Sequence, residues 1–200
     1  MLETVENCSV EDLPATERNR ELEKKISGRL IKCKTSEFVS VVSITITQMW
    51  YNKPGDINEI KFTFDDDKLK FYWKEKEYEN TIDVGLNGEY GISKMTLGDV
   101  TYHAYSKASW QENGSLDLWI RPIETAHVRK LNFKFNDDDT VKITNDMNPT
   151  LQELVVYYMT FTGYPVKGEL GEDLIKNAVE KLGLPIIEPN FKGKFVDESE

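Results

Sequence analysis

One pattern occurs twice in this chain, and each copy reads as a β-hairpin. Phe62-Thr63-Phe64-Asp65-Asp66-Asp67-Lys68-Leu69-Lys70-Phe71 returns as Phe133-Lys134-Phe135-Asn136-Asp137-Asp138-Asp139-Thr140-Val141-Lys142-Ile143. Each copy places an alternating apolar strand before an acidic turn and a second alternating strand after it. Asp and Asn suit the reversal because their side chains bond nearby backbone and tolerate left-handed dihedrals. Two such hairpins commit the chain to antiparallel sheet with one face buried and one wet.

The period of two runs through most of the sequence. It predicts strands over 26–33, 39–49, 57–64, 68–74, 79–85, 88–95, 99–109, 115–121, 128–135 and 140–145, separated by short Gly, Asp and Asn turns. About ten short strands in a meander close most readily into a barrel, because closure removes exposed edges. The expected fold is therefore mainly β, an antiparallel lipocalin-like β-barrel with C-terminal helical segments. Thr150 to Met159 is read as the first of these, with a buried strand as the alternative given the run Val155-Val156-Tyr157-Tyr158, and Glu172 to Leu182, with its stripe Leu174, Ile175, Ala178, Val179 and Leu182, as the second. The domain reading is a polar leader over 1–25, a barrel domain over 26–185 and a tail over 186–200.

Composition excludes some partners. The chain has 200 residues, 35 acidic against 25 basic, for a net charge of −10. Nucleic acid is bound through clustered Lys and Arg, and along the sequence acids interleave or flank most basic pairs, so no basic stripe emerges. The reading is no nucleic acid. No apolar run approaches the length of a membrane span, and the amino terminus carries no signal-peptide pattern. Cys8 and Cys33 match no metal or redox spacing and are read as free thiols in a reducing compartment, with a disulfide as the alternative. The expectation is a soluble, cytoplasmic chain without a membrane span.

No reaction centre is written. There is no Gly-x-Ser-x-Gly elbow and no Gly-x-Gly-x-x-Gly turn, so neither a catalytic residue nor a cofactor is expected. His103 and His127 are the chain's two imidazoles, and Glu124 is the nearest carboxylate to His127 in sequence. One carboxylate beside them makes a thin metal set, so no metal is expected and a metal-dependent enzyme is the least favoured reading. Arg121 and Glu124 flank Pro122 at a strand end, read as an ion pair fixing the bend or, alternatively, as a ligand anchor. With the aromatic residues Tyr102 and Trp110 they form the candidate ligand-binding set: Tyr102, Trp110, Arg121 and Glu124.

The stretch from Ala104 through Trp110, Leu116-Asp117-Leu118-Trp119-Ile120-Arg121, Ile123-Glu124-Thr125 and Leu131 to Asp137 resembles the non-catalytic C-terminal β-domain that follows the catalytic domain in serine hydrolases of the beta-lactamase and penicillin-binding-protein group. The likeness extends more weakly back to about residue 20. It implies an accessory domain that contacts a serine-hydrolase catalytic domain near its active site. The catalytic domain itself requires a Ser-x-x-Lys nucleophile, and no Ser here has Lys three residues later. Tyr78-Glu79-Asn80 and Lys34-Thr35-Ser36 approach that family's other motifs in reversed order, as chance matches. The leading expectation is an accessory or binding domain without enzymatic activity; the alternative is a free-standing carrier of a lipid or other small apolar ligand.

Overall fold

The computed structural model describes residues 12–35, 57–75, 78–97, 100–125, 128–148 and 190–196. They form one helix, α1 (Arg20–Ile26), and ten strands. These are β1 (Leu30–Thr35), β2 (Ile57–Phe64), β3 (Lys68–Glu75), β4 (Tyr78–Gly85), β5 (Gly91–Leu97), β6 (Val100–Trp110), β7 (Leu116–Pro122), β8 (Val128–Phe135), β9 (Thr140–Asn148) and β10 (Phe191–Phe195). The strand expected at 39–49, both C-terminal helices, Cys8 and His127 lie outside the described residues.

The strands make one sheet in the order β4-β3-β2-β1-β10-β9-β8-β7-β6-β5, and β4 meets β6 to close it into a barrel. Every ladder is antiparallel except the closing one, where Gly85 faces Lys107 in a parallel bridge just beyond the start of β5. The barrel is thus mixed at its seam, which corrects the purely antiparallel expectation. Between β4 and β5 side chains replace the ladder. Asn80 donates from Nδ2 to the Thr96 carbonyl at 2.9 Å and accepts the Thr96 N–H at 2.7 Å, while Ser93 Oγ accepts the Asp83 N–H at 2.7 Å. The two strands nearly touch at Gly91, where a Cβ would stand 2.1 Å from the Asp83 carbonyl oxygen, so a side chain is sterically barred there.

Inward-facing positions alternate as the sequence predicts. Leu69, Phe71 and Trp73 on β3, Leu131 and Phe133 on β8 and Val141 and Ile143 on β9 are all buried. Phe62 reaches across to Phe133 with ring centroids 4.9 Å apart and edge-to-face, and Phe71 lies 5.7 Å from the same ring. Both hairpins of the repeated pattern turn at one end of the barrel, and α1 lies over that end, where Ile26 and Leu22 join the core.

Two boundaries differ from the sequence reading. The segment expected as a tail, 186–200, contributes β10, which lies between β1 and β9 and completes the ring. Of the segment expected as a polar leader, the described residues 12–25 are packed. Along the outside of β6, Asp12 accepts from Lys107 Nζ at 2.8 Å and from the Tyr90 hydroxyl at 2.7 Å, and Ser109 Oγ donates to the Pro14 carbonyl at 2.7 Å. These contacts hold the Asp12 carboxyl below its ordinary range, the Lys107 bond being the main cause. The expected strand at 26–33 begins at Leu30, because α1 runs to Ile26 and Gly28 turns the chain with a φ of 80°.

Inserting β10 also overturns the reading that no basic stripe forms. Register sets Lys34 opposite Lys192, Lys192 opposite Lys142 and Lys142 opposite Lys134, one lysine on each of four adjacent strands. Lys32 faces Lys194 beside that row. All six are exposed.

Candidate functional site in the barrel interior

Besides Asn80, which is held by Thr96 at the seam, four polar residues fall in phase with the apolar inner face of their strands. Glu75 continues Leu69, Phe71 and Trp73; Arg129 precedes Leu131 and Phe133; Asn145 follows Val141 and Ile143; Ser106 stands between Ala104 and Ala108. Register brings three of them to one level. Ser106 pairs with Ile120 and Ile120 with Arg129, so Ser106 and Arg129 share a row two strands apart, and Asn145 pairs with Leu131 one step along the same wall. This level lies toward the barrel end opposite α1.

Glu75 approaches Arg129 from the far wall, because β3 and β8 stand five places apart along the ten-strand order of the sheet. Its carboxylate accepts from Arg129 Nη1 at 3.1 Å and Nη2 at 3.4 Å, and Oε2 also accepts from Trp73 Nε1 at 3.1 Å. The Glu75 side chain is 5% exposed and that of Arg129 12%. Three buried atoms at this end of the barrel have no hydrogen-bond partner among the described residues: Ser106 Oγ, Arg129 Nε and Asn145 Oδ1. A buried donor or acceptor left without a partner costs about 1–3 kcal/mol, which makes this cluster the chemically unfinished part of the interior. The inner face of β6 beside it is built from small residues, Ala104, Ser106 and Ala108.

The four residues read from the sequence do not converge. Tyr102 is buried on the inner face of β6, two positions from Ala104 and toward the open end. Trp110 is buried at the opposite end, where its Nε1 donates to Glu23 Oε1 at 2.9 Å. Arg121 pairs with Tyr105 on the outer face, with the Tyr90 ring tilted against that of Tyr105, centroids 6.2 Å apart. Glu124 bonds neither Arg121 nor any residue inside the barrel. It accepts the His103 N–H at 3.1 Å and meets His103 Nδ1 at 2.6 Å on the exposed surface, which holds its carboxyl below the ordinary range. The expected Arg121–Glu124 ion pair is therefore replaced by a His103–Glu124 pair, since the β6–β7 register carries Pro122 alongside Ala104 and its turn over His103. Among the described residues no three metal-ligating side chains converge.

Cys33 carries a free thiol, buried opposite Gly193 on β10. Burial pushes the thiol up to about 12, with the Glu59 charge adding to it. A raised folded value stabilises the neutral fold fully below the unfolded thiol value of about 8.5, and that stability is lost as pH climbs from there through about 12. Burial raises the Tyr72 and Tyr90 hydroxyls in the same direction. In a Cys8→Ser variant, Cys33 is expected to react with an aromatic disulfide reagent at pH 8 only as fast as the protein opens. A labelling rate like that of a small free thiol would contradict this placement.

No family model matches the chain, and no curated protein matches it. The structure matches in part a crystal structure described as a secretary abundant heat soluble (SAHS) protein from Ramazzottius varieornatus, at 12% identity and a TM-score of 0.41, over 61% of this chain and 86% of that one. At that score the likeness is loose, and the reading of the site rests on this chain's own residues. Among the described residues no helix is long and apolar enough to cross a membrane.

Proposed function

We propose that this barrel binds a small, mainly apolar ligand in its interior, with the ligand's one polar group at the level of Ser106, Arg129 and Asn145. The observation that supports it is the trio of buried, unpartnered atoms, Ser106 Oγ, Arg129 Nε and Asn145 Oδ1, beside the small-residue face of β6. Together they offer an N–H donor, an amide acceptor and a hydroxyl that serves as either. Glu75 already neutralises Arg129, so the site suits an uncharged group such as a hydroxyl or a carboxamide better than a carboxylate. The accessory role beside a serine-hydrolase catalytic domain draws on the sequence resemblance alone; the described residues between 104 and 137 lie in β6, β7, β8 and the turns beside them.

Nile red titration tests the proposal. Saturable binding at one site per chain is expected, with displacement by a medium-chain alcohol or amide at least about tenfold better than by the matching fatty acid. Ser106→Leu replaces the hydroxyl between Ala104 and Ala108 with a larger apolar side chain and is expected to weaken binding about tenfold or more with the chain still folded. Absence of saturable binding, or equal affinity in Ser106→Leu, would overturn the reading.

A further inference from the structure

The lysine row on the outer face is the least expected feature of a chain carrying a net charge of −10. Lys34, Lys192, Lys142 and Lys134 stand directly opposite one another across β1, β10, β9 and β8, with Lys32 and Lys194 paired alongside. Like charges directly opposite in a sheet repel, so this arrangement works against folding. None of the six forms an ion pair or hydrogen bond among the described residues. Acids border the row without entering it. Glu59 faces Lys32 from β2, and Asp138, in the β8–β9 turn, feels the charge of Lys194 while its carboxylate is held by Thr140.

We infer that this face docks on an anionic lipid bilayer. The kind of charge and the shape that carries it both favour a bilayer. Lysine is a hydrated point charge on a flexible stem, without the fork of arginine that recognises one shaped anion. Six such charges spread over four strands, roughly 14 Å across, fit a diffuse array of headgroups better than a compact ligand. The outward side chains between them are Thr140, Thr144 and Asn132, so the row itself holds no aromatic ring on which bases could stack; the outward rings Trp119, one strand beyond it, and Tyr72, two strands beyond, are each covered by a lysine, Lys130 and Lys61. A barrel wall is convex, so a planar surface meets the row first, while the strands on either side, where Glu59 is offset by Lys61 and Asp117 by Arg121, curve away from it.

The test is co-sedimentation of the full chain with vesicles of phosphatidylcholine alone or mixed with phosphatidylserine. Binding is expected only with phosphatidylserine and is released by high salt, since each lysine near an anionic leaflet adds about fivefold to the partition. Lys192→Glu with Lys194→Glu is expected to reduce binding more than about tenfold. Because these exchanges turn repelling cross-strand pairs into attracting ones, the unfolding midpoint is expected to hold or rise. Lys134→Gln with Lys142→Gln gives a second variant on neighbouring strands with the same expected direction. No phosphatidylserine-dependent binding, or binding unchanged in both variants, overturns the inference. So does tighter binding to duplex DNA or single-stranded RNA that depends on the same lysines, which assigns the face to nucleic acid.

Discussion

Glu23→Ala is expected to destabilise the protein by about 3–5 kcal/mol, because it breaks a buried charge network from its centre. Glu23 lies on a seven-residue helix and is only 3% exposed. Its Oε1 accepts from Arg18 Nε at 2.9 Å and from Trp110 Nε1 at 2.9 Å, and its Oε2 accepts from Arg18 Nη2 at 2.8 Å. Arg18 in turn donates through Nη2 to the Asp65 carbonyl at 3.0 Å and through Nη1 to that of Asp66. One carboxylate thus ties the helix to the end of β6 and, through Arg18, to the β2–β3 turn. Removing it strands the Arg18 guanidinium, whose side chain is 7% exposed, and leaves the Trp110 indole N–H without its acceptor. For a chain of this size the loss corresponds to roughly 6–20 °C in the thermal midpoint. A smaller loss is expected for Glu23→Gln, which keeps an acceptor for Trp110. A midpoint within a degree of wild type in Glu23→Ala would show that α1 does not hold this end.

The network explains where sequence reading succeeds and where it stops. Strands such as 57–64, 68–75 and 128–135 are legible because alternation records directly which face is buried, and their acidic turns are legible because reversal demands those residue types. The packing of residues 12–26 is not legible. Asp12, Thr16, Arg18 and Glu23 read as a charged leader, since their partners, Lys107, Ser109 and Trp110 among them, lie some 90 residues away.

β10 escapes for a different reason. Phe191-Lys192-Gly193-Lys194-Phe195 alternates, yet it follows Pro185 and Pro189 and carries a central glycine, all signs of a loop. The glycine is there for packing, because a Cβ at Gly193 would sit 2.5 Å from Ile31 Cγ2. The lysine row stays hidden with β10, since only register places residues 32–34, 134, 142 and 192–194 side by side.

The interior site is more legible than the set of residues first read as ligand-binding. Glu75, Ser106, Arg129 and Asn145 each occupy a position that the apolar alternation of their strand assigns to the core, and a polar residue in that phase marks a buried polar group. Aromatic rings and the Arg121–Glu124 spacing are weaker guides. Rings fill cores by default, and proximity across a proline says nothing about which partner the register supplies.

The Glu75–Arg129 pair separates stability from recognition within that site. Glu75→Ala leaves the Arg129 cation buried without a counter-charge and removes the acceptor of Trp73 Nε1, so a loss of about 3–5 kcal/mol is expected in denaturant unfolding. Glu75→Leu combined with Arg129→Met removes both charges together with their desolvation cost but still strands the Trp73 N–H at about 1–3 kcal/mol, so it is expected to range from about 3 kcal/mol less stable to about 3 kcal/mol more stable than wild type. The same double variant takes away the Arg129 Nε donor, so Nile red displacement by a medium-chain amide is expected to weaken while that by a plain hydrocarbon of equal length does not. If the double variant is as unstable as Glu75→Ala, the pair is held by more than its own charges. If the amide loses nothing, Arg129 faces the other wall of the barrel for structure alone, and recognition falls to Ser106 and Asn145.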